Sequence, residues 1–278
     1  MTDSPHDSAW TFTIWGSRGS VPVSSDASRE FGGHTTCLEL DLPAARILVD
    51  AGSGIADLAR SKPHDRKPTL LLFSHLHWDH VLGLPFYAPL FQPGWTLDVR
   101  GVPRSGRAVF DAVTELNQPP LFPVPLATSI RADVSASSLD STGSLAFGGA
   151  SVDWMEVAHP GGCSAFAFNI GGRKIVFTGD IELHATDRDA LLRFCRGAEV
   201  LICDAQYTED EYATRRGWGH STNLQAAQFA ADAGVARLVL THHDPAHDDA
   251  FVSRMVLDAA ALFPHVSGAT TRMVVARG

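Results

Sequence analysis

Short apolar runs, most four to eight residues long and separated by polar, glycine- or proline-bearing segments, dominate the chain. Runs of this length read as strands, many of them buried on both faces. Strands are predicted at Phe12–Trp15, Cys37–Leu42, Ile47–Asp50, Leu70–Ser74, Ser151–Val157, Ala165–Ile170, Lys174–Thr178, Val200–Asp204, Arg237–Thr241 and Thr271–Val275. A 3.6-residue apolar period appears at Ser105–Leu116, Ala190–Arg196, Ser221–Ala233 and Asp248–Leu262, which predicts helices there. Ser221 and Thr222 are the candidate N-caps of the third. A β-rich start passing into alternating strand and helix suits layered sheets covered by helices. The segment Asn117–Pro125, "NQPPLFPVP", carries four prolines and predicts an extended surface stretch rather than a linker.

Composition adds limits. The 278 residues are 45% hydrophobic and 19% charged, an ordinary globular balance, read as one domain spanning 1–278. The net charge of −9 provides no overall field for nucleic acid or an anionic membrane. No apolar run approaches the roughly 20 residues of a membrane span. The start, "MTDSPHDSAW", lacks the basic and apolar regions of a signal peptide, so a cytoplasmic protein is expected. Cys37, Cys163, Cys195 and Cys203 are scattered without CxxC spacing, which predicts reduced, buried thiols and no thiolate metal site.

Several apolar runs end on a ligand-type residue. "ILVDAGSG" delivers Asp50, "LLLFSHLH" His75, "IVFTGD" Asp180, and "LVLTHH" His242 and His243. Buried strands that deliver such residues to one sheet edge gather them in space. The densest group is "HLHWDH", residues 75–80. An extended strand end places His75 and His77 on one side, and a following turn brings in Asp79 and His80. Imidazole and carboxylate together suit zinc, manganese or iron(II). So many ligands exceed one tetrahedral ion, which points to two metals.

"SHLHWDH" resembles the HxHxDH signature of the metallo-β-lactamase superfamily, whose fold is an α/β four-layer αββα sandwich with metals at the sheet edges. The resemblance covers nearly the whole chain. "WGSRGSVP" (Trp15–Pro22) and "LVDAGSG" (Leu48–Gly54) look like its opening strands, "HPGG" supplies His159, "FTGD" Asp180 and "LTHHDP" His242. It implies that His75, His77 and His159 hold one divalent metal, zinc first and manganese or iron as alternatives. Asp79, His80 and His242 would hold the other, with Asp180 bridging. Asp50 is either a partner that orients a ligand histidine or a turn residue. Strand alternation sends His242 and His243 to opposite faces, and the resemblance favours His242 as the ligand, because it follows "VLT" where the superfamily's ligand sits.

The superfamily hydrolyses several bond types, so the fold does not settle the substrate. "CDAQYTEDEYATRRGWGHSTNLQAA" resembles a segment of the phosphodiesterase branch, best known in tRNase Z, where an acid–histidine pair protonates the leaving oxygen. Carried over, Asp204 orients or charges His220, and His220 is the general acid. Asp204 stands where that branch commonly has Glu. Asp79 completes the catalytic group. Arg215 and Arg216 could meet a phosphate or form a solvated turn. The glycine-rich "GSRGS" (Gly16–Ser20) could approach a ligand closely, but lacks phosphate-loop spacing. The arm that grips tRNA in that branch falls between His159 and Asp180, and here those residues read as a plain hairpin. The expected activity is therefore hydrolysis of a small nucleotide or ribose phosphodiester, cyclic ones included, by attack of a metal-bridging hydroxide. Long nucleic acid is not an expected partner, and a homodimer is expected by analogy. The alternatives are hydrolysis of a thioester, lactone or lactam, and RNA 3′-end endonuclease activity.

Overall fold

The computed structural model describes residues 10–278; the signal-peptide reading of the N-terminus rests largely on residues outside that range. The first half of the chain supplies β1 (Thr11–Gly16), β2 (Cys37–Asp41), β3 (Arg46–Val49), β4 (Thr69–Phe73), β5 (Thr96–Gly101) and β6 (Asp133–Ser138). The second supplies β7 (Gly143–Phe147), β8 (Ala150–Val157), β9 (Cys163–Ile170), β10 (Arg173–Phe177), β11 (Val200–Asp204), β12 (Arg237–Thr241) and β13 (Val266–Gly268). The last strand, β14 (Met273–Arg277), returns to the first sheet beside β1. Two seven-stranded sheets result, in the orders β14-β1-β2-β3-β4-β5-β6 and β13-β12-β11-β10-β9-β8-β7. Pairing is parallel from β3 to β6 and from β10 to β13, and antiparallel elsewhere.

Why the central runs are apolar without alternation is plain from their two faces. In β4, Leu70 and Leu72 enter the core between the sheets, while Leu71 and Phe73 face the outer helices. In β11, Val200 and Ile202 face inward and Leu201 and Cys203 outward. The outer layer on the first sheet includes helices α1 (Gly54–Ser61), α2 (Trp78–Val81) and α3 (Val109–Leu116). After the short α4 (Leu126–Ser129), α5 (Arg188–Cys195), α6 (Glu209–Tyr212), α7 (Asn223–Ala233) and α8 (Asp249–Ala260) follow, of which α5, α7 and α8 join the outer core of the second sheet. The architecture is a four-layer α/β sandwich, as expected.

Four strands (β5, β6, β7 and β13), α1 and the short helices α2, α4 and α6 escaped the sequence reading. β6 ("DVSASS") and β7 ("GSLAF") are largely exposed edge strands with little apolar signal. The helix expected from Ser105 begins only at Val109, because Ser105 and Gly106 take positive φ. Strand β14 starts two residues later than expected. Thr222 caps α7 through a capping box with Gln225. Ser221 is no cap: its Oγ donates to Ile181 O at 2.6 Å and accepts from Leu183 N at 3.1 Å. The segment 117–125 lies at the surface, as expected, with Leu121 and Val124 exposed, but it runs through turns and bends closed by Leu121 N and Phe122 N on Gln118 O rather than as an extended stretch. All four cysteines are buried and free. Among the described residues no helix is long and apolar enough to cross a membrane.

Candidate metal centre

Strand ends deliver the site. At the end of β3, Asp50 accepts from Ser74 N at 2.8 Å and Ser74 Oγ at 2.7 Å, tying the β3 and β4 termini together. The chain leaves β4 and enters α2 with His77 as its N-cap, so Asp79 and His80 sit in a helical turn rather than the open turn expected. His159 follows β8, Asp180 follows β10, Asp204 ends β11 and His242 follows β12. Asp50 and His242 both hold φ near +60°, uncommon for residues other than glycine. That bend redirects the side chain at each strand end, at a cost of about 1–3 kcal/mol that the surrounding fold sustains.

Two ligand groups meet at Asp180. His75, His77, His159 and Asp180 form one, and Asp79, His80, Asp180 and His242 the other. Asp180 Oδ2 lies 3.1 Å from His242 Nε2, 3.3 Å from His80 Nε2, 3.5 Å from His75 Nε2 and 4.0 Å from His159 Nε2. His159 Nε2 also lies 3.0 Å from His77 Nδ1, and Asp79 Oδ2 3.0 Å from His242 Nε2. The far nitrogens are engaged elsewhere. His80 Nδ1 donates to Asp50 Oδ2 at 2.8 Å, His159 Nδ1 to Gly219 O at 2.8 Å, and His242 Nδ1 to Gln206 Oε1 at 2.9 Å. Each of these Nδ1 donations fixes the tautomer that leaves Nε2 as a lone-pair donor toward the centre.

This arrangement fits divalent cations. His75 Nε2 and His80 Nε2 are buried without a hydrogen-bond partner, a state that costs free energy unless something positive lies opposite. Burial alone would raise the Asp180 pKa, and the facing His242, His80 and His75 hold it instead well below the carboxylate range. Burial likewise opposes charge on His80 and His242, and Asp180 with Asp79 overrides it, lifting both imidazoles well above the ordinary value. His75, buried and facing His80, is lowered well below it. A carboxylate that favours cations on every side is the electrostatic signature of a metal cluster.

The Asp204–His220 pair forms the third group, together with His242. His220 Nδ1 lies 2.7 Å from Asp204 Oδ2. Its ring stacks on His242 with centroids 4.7 Å apart and planes at 18°. Asp204 is fully buried and also accepts from Ile181 N and Gln206 N. The shorter acid therefore reaches the histidine.

The open choices resolve as follows. Asp50 orients His80. His243 points away, its Nε2 bonding Ala269 O at 3.0 Å, and burial pushes its pKa down to about 3. Arg215 and Arg216 lie over the rings of Tyr207 and Tyr212, occupied by aromatic faces. The "GSRGS" segment packs against the centre: a Cβ on Gly19 would fall 2.3 Å from the His242 ring, and Ser20 N donates to Asp79 Oδ2 at 2.7 Å. The run between His159 and Asp180 is the expected β9–β10 hairpin, turning at Gly171–Gly172.

Three contributors went unread in the sequence. Gln206 orients His242. Glu182 accepts from Tyr212 Oη at 2.6 Å, Gly217 N at 3.0 Å and Gly219 N at 3.3 Å, which fixes the loop before His220. Arg104 ties the end of β4 to the second sheet through Ser74 O, Ser164 Oγ and Glu156. Each is a lone polar residue, and only the partners reveal it.

The family model described as Beta-lactamase superfamily domain matches residues 45–243. Ribonuclease Z of Bradyrhizobium diazoefficiens is 25% identical over 310 aligned positions, covering 92% of this chain and 96% of that protein. Among solved structures, the metallo-β-lactamase fold protein YhfI of Bacillus subtilis superposes with a TM-score of 0.74 at 22% identity, over 97% of this chain and 99% of that one. The short form of human tRNase Z gives 0.68 at 21% identity, over 96% and 99%. These two structures share the fold. The chain belongs to the metallo-β-lactamase superfamily, on its tRNase Z-like branch, and is a metal-dependent hydrolase.

Proposed function

We propose that the protein hydrolyses a small phosphodiester of the nucleotide or ribose class. His75, His77 and His159 would hold one divalent cation, Asp79, His80 and His242 a second, and Asp180 would serve both. Zinc suits this nitrogen and oxygen donor set, as do manganese and iron(II). Such cations, when bound, supply Lewis acidity toward a phosphoryl oxygen and a water of lowered pKa.

The observation that carries the reading is the Asp204–His220 pair. Hydrolysis of an activated carbonyl does not require a second acid–base device beside the metals, whereas a phosphodiester with a poor leaving group does. His220 uses Nδ1 on Asp204, which leaves Nε2 to give its proton to the departing oxygen. The Asp204 carboxylate stabilises the imidazolium that donates, and its backbone donors Ile181 N and Gln206 N fix its direction. Glu182 fixes the loop that carries His220.

A second reading is an RNA 3′-end endonuclease. It is favoured by the nearly full-length similarity to a protein named Ribonuclease Z. The small substrate is favoured by the plain β9–β10 turn and the net charge of −9, which offer a long polyanion little to hold. The test is turnover by metal-reconstituted protein on bis-p-nitrophenyl phosphate, a 2′,3′-cyclic nucleotide, a precursor tRNA, nitrocefin and a thioester. Cleavage of the first two is expected. Cleavage of only the last two would refute the phosphodiesterase reading, and a strong preference for the tRNA would favour the endonuclease.

A further inference from the structure

Two tryptophans stand unusually open beside the metal centre. Trp78 is 62% exposed and Trp218 61% exposed, although an indole is among the most costly side chains to leave in water. Trp78 follows His77, whose Nδ1 lies 3.0 Å from His159 Nε2. Trp218 precedes Gly219, whose carbonyl accepts from the other nitrogen of the same His159 ring at 2.8 Å. Both indoles thus branch from backbone next to residues that contact one ligand-type imidazole. Neither bonds to the rest of the fold among the described residues. Phe86, 60% exposed, adds a further open ring six residues after His80 and meets Phe122 edge-on at 6.1 Å.

A pocket of about 280 Å³ opens on His75 and His77. Its walls include the apolar side chains of Leu76 and Leu116 and the guanidinium-bearing Arg104 and Arg107. Open indoles next in the chain to His77 and Gly219, with an apolar-walled pocket on the adjoining His75 and His77, suit a flat ring, the chemistry of a nucleobase.

We propose that Trp78 and Trp218 are specificity-determining residues that stack on the nucleobase of the substrate and seat its phosphodiester at the metal centre. The proposal rests on the phosphodiesterase reading and narrows it to nucleotides. The alternative occupant, a second copy of this chain covering the same aromatic rim, is an outcome of the test.

The experiment compares methyl p-nitrophenyl phosphate with thymidine 5′-(p-nitrophenyl phosphate), which share a leaving group and differ by the nucleoside. The metal-loaded wild-type protein is expected to favour the nucleoside ester in kcat/KM by roughly five-fold or more. Trp78→Ala and Trp218→Ala should each shrink that ratio, chiefly through KM, and Trp78→Phe should retain most of it. Both indoles are exposed, so the variants lose little core packing. Turnover of both esters without preference would overturn the stacking proposal alone. No turnover of either would overturn it together with the phosphodiesterase reading. Loss of a dimer in sedimentation of both alanine variants, with the ratio unchanged, would also overturn it and assign the rim to a second copy.

Discussion

Each imidazole that donates through Nδ1 to a fixed acceptor has its orientation set by a residue outside the ligand groups. Asp50 does this for His80, and its two further bonds to Ser74 lock it in place. Asp50→Asn is expected to weaken metal affinity by about 10–100-fold, read by competition with a chromophoric chelator. Unchanged affinity would reduce Asp50 to a strand-end clip. His243 supplies a pH prediction. The unfolded histidine takes a proton as pH falls through the ordinary value of 6.5, and the folded one resists until about 3. Stability linked to neutral His243 is therefore intact above about 6.5 and is lost as pH falls toward 3. In denaturant melts at saturating metal, His243→Gln should flatten the slope of stability against pH between 4 and 6. The "HLHWDH" cluster was legible because six adjacent positions hold four ligand-type residues; strand alternation said only that His242 and His243 face opposite ways, and the choice of His242 came from the family resemblance. Gln206 and Glu182 were not legible, since a single polar residue in a loop shows its role only through what it touches.

At the level of elements, paired strands with doubly apolar faces carried the reading, and edge strands defeated it. β4 and β11 announce themselves because each neighbouring residue enters a different core layer. β6 and β7 lie at the two sheet edges with mostly exposed side chains, so no period distinguishes them from loop. α1 hides behind the glycines of "AGSG", which read as a turn. α7 was readable at both ends: Thr222 closes a capping box with Gln225, and Gly234 ends the helix in the left-handed region. Thr222→Ala is expected to lower stability by about 1 kcal/mol in thermal or denaturant unfolding. His220 lies two residues before this cap, so the helix start also holds the loop that carries His220 in place. No loss of stability would mean that neither the cap nor the bond from Thr222 Oγ1 to Glu209 holds this corner.

The whole molecule is two mixed sheets whose strand ends converge on one edge. Neither sheet holds the centre alone: Asp50, His75 and His80 come with the first, and His159, Asp180 and His242 with the second. The metals would then join the two halves of the sandwich. Reconstituted protein is expected to hold close to two divalent ions per chain by elemental analysis, and about one would sink the dinuclear reading. Chelation should lower the melting temperature, because the buried, partnerless His75 Nε2 and His80 Nε2 lose the cation that faces them. The layered fold was legible from strand and helix alternation together with the resemblance. The return of β14 to the first sheet, which closes the topology, was not, since nothing local records a partner some 260 positions away in the chain.

The claim that distinguishes this hydrolase as a phosphodiesterase is proton donation by His220, and leaving-group dependence measures it most directly. His220→Ala should reduce turnover of a phosphodiester with an alkoxide leaving group by about 10²–10⁴-fold, while p-nitrophenolate, which departs without a proton, should be affected far less. Equal losses on both esters, or none on the alkoxide ester, would contradict the account.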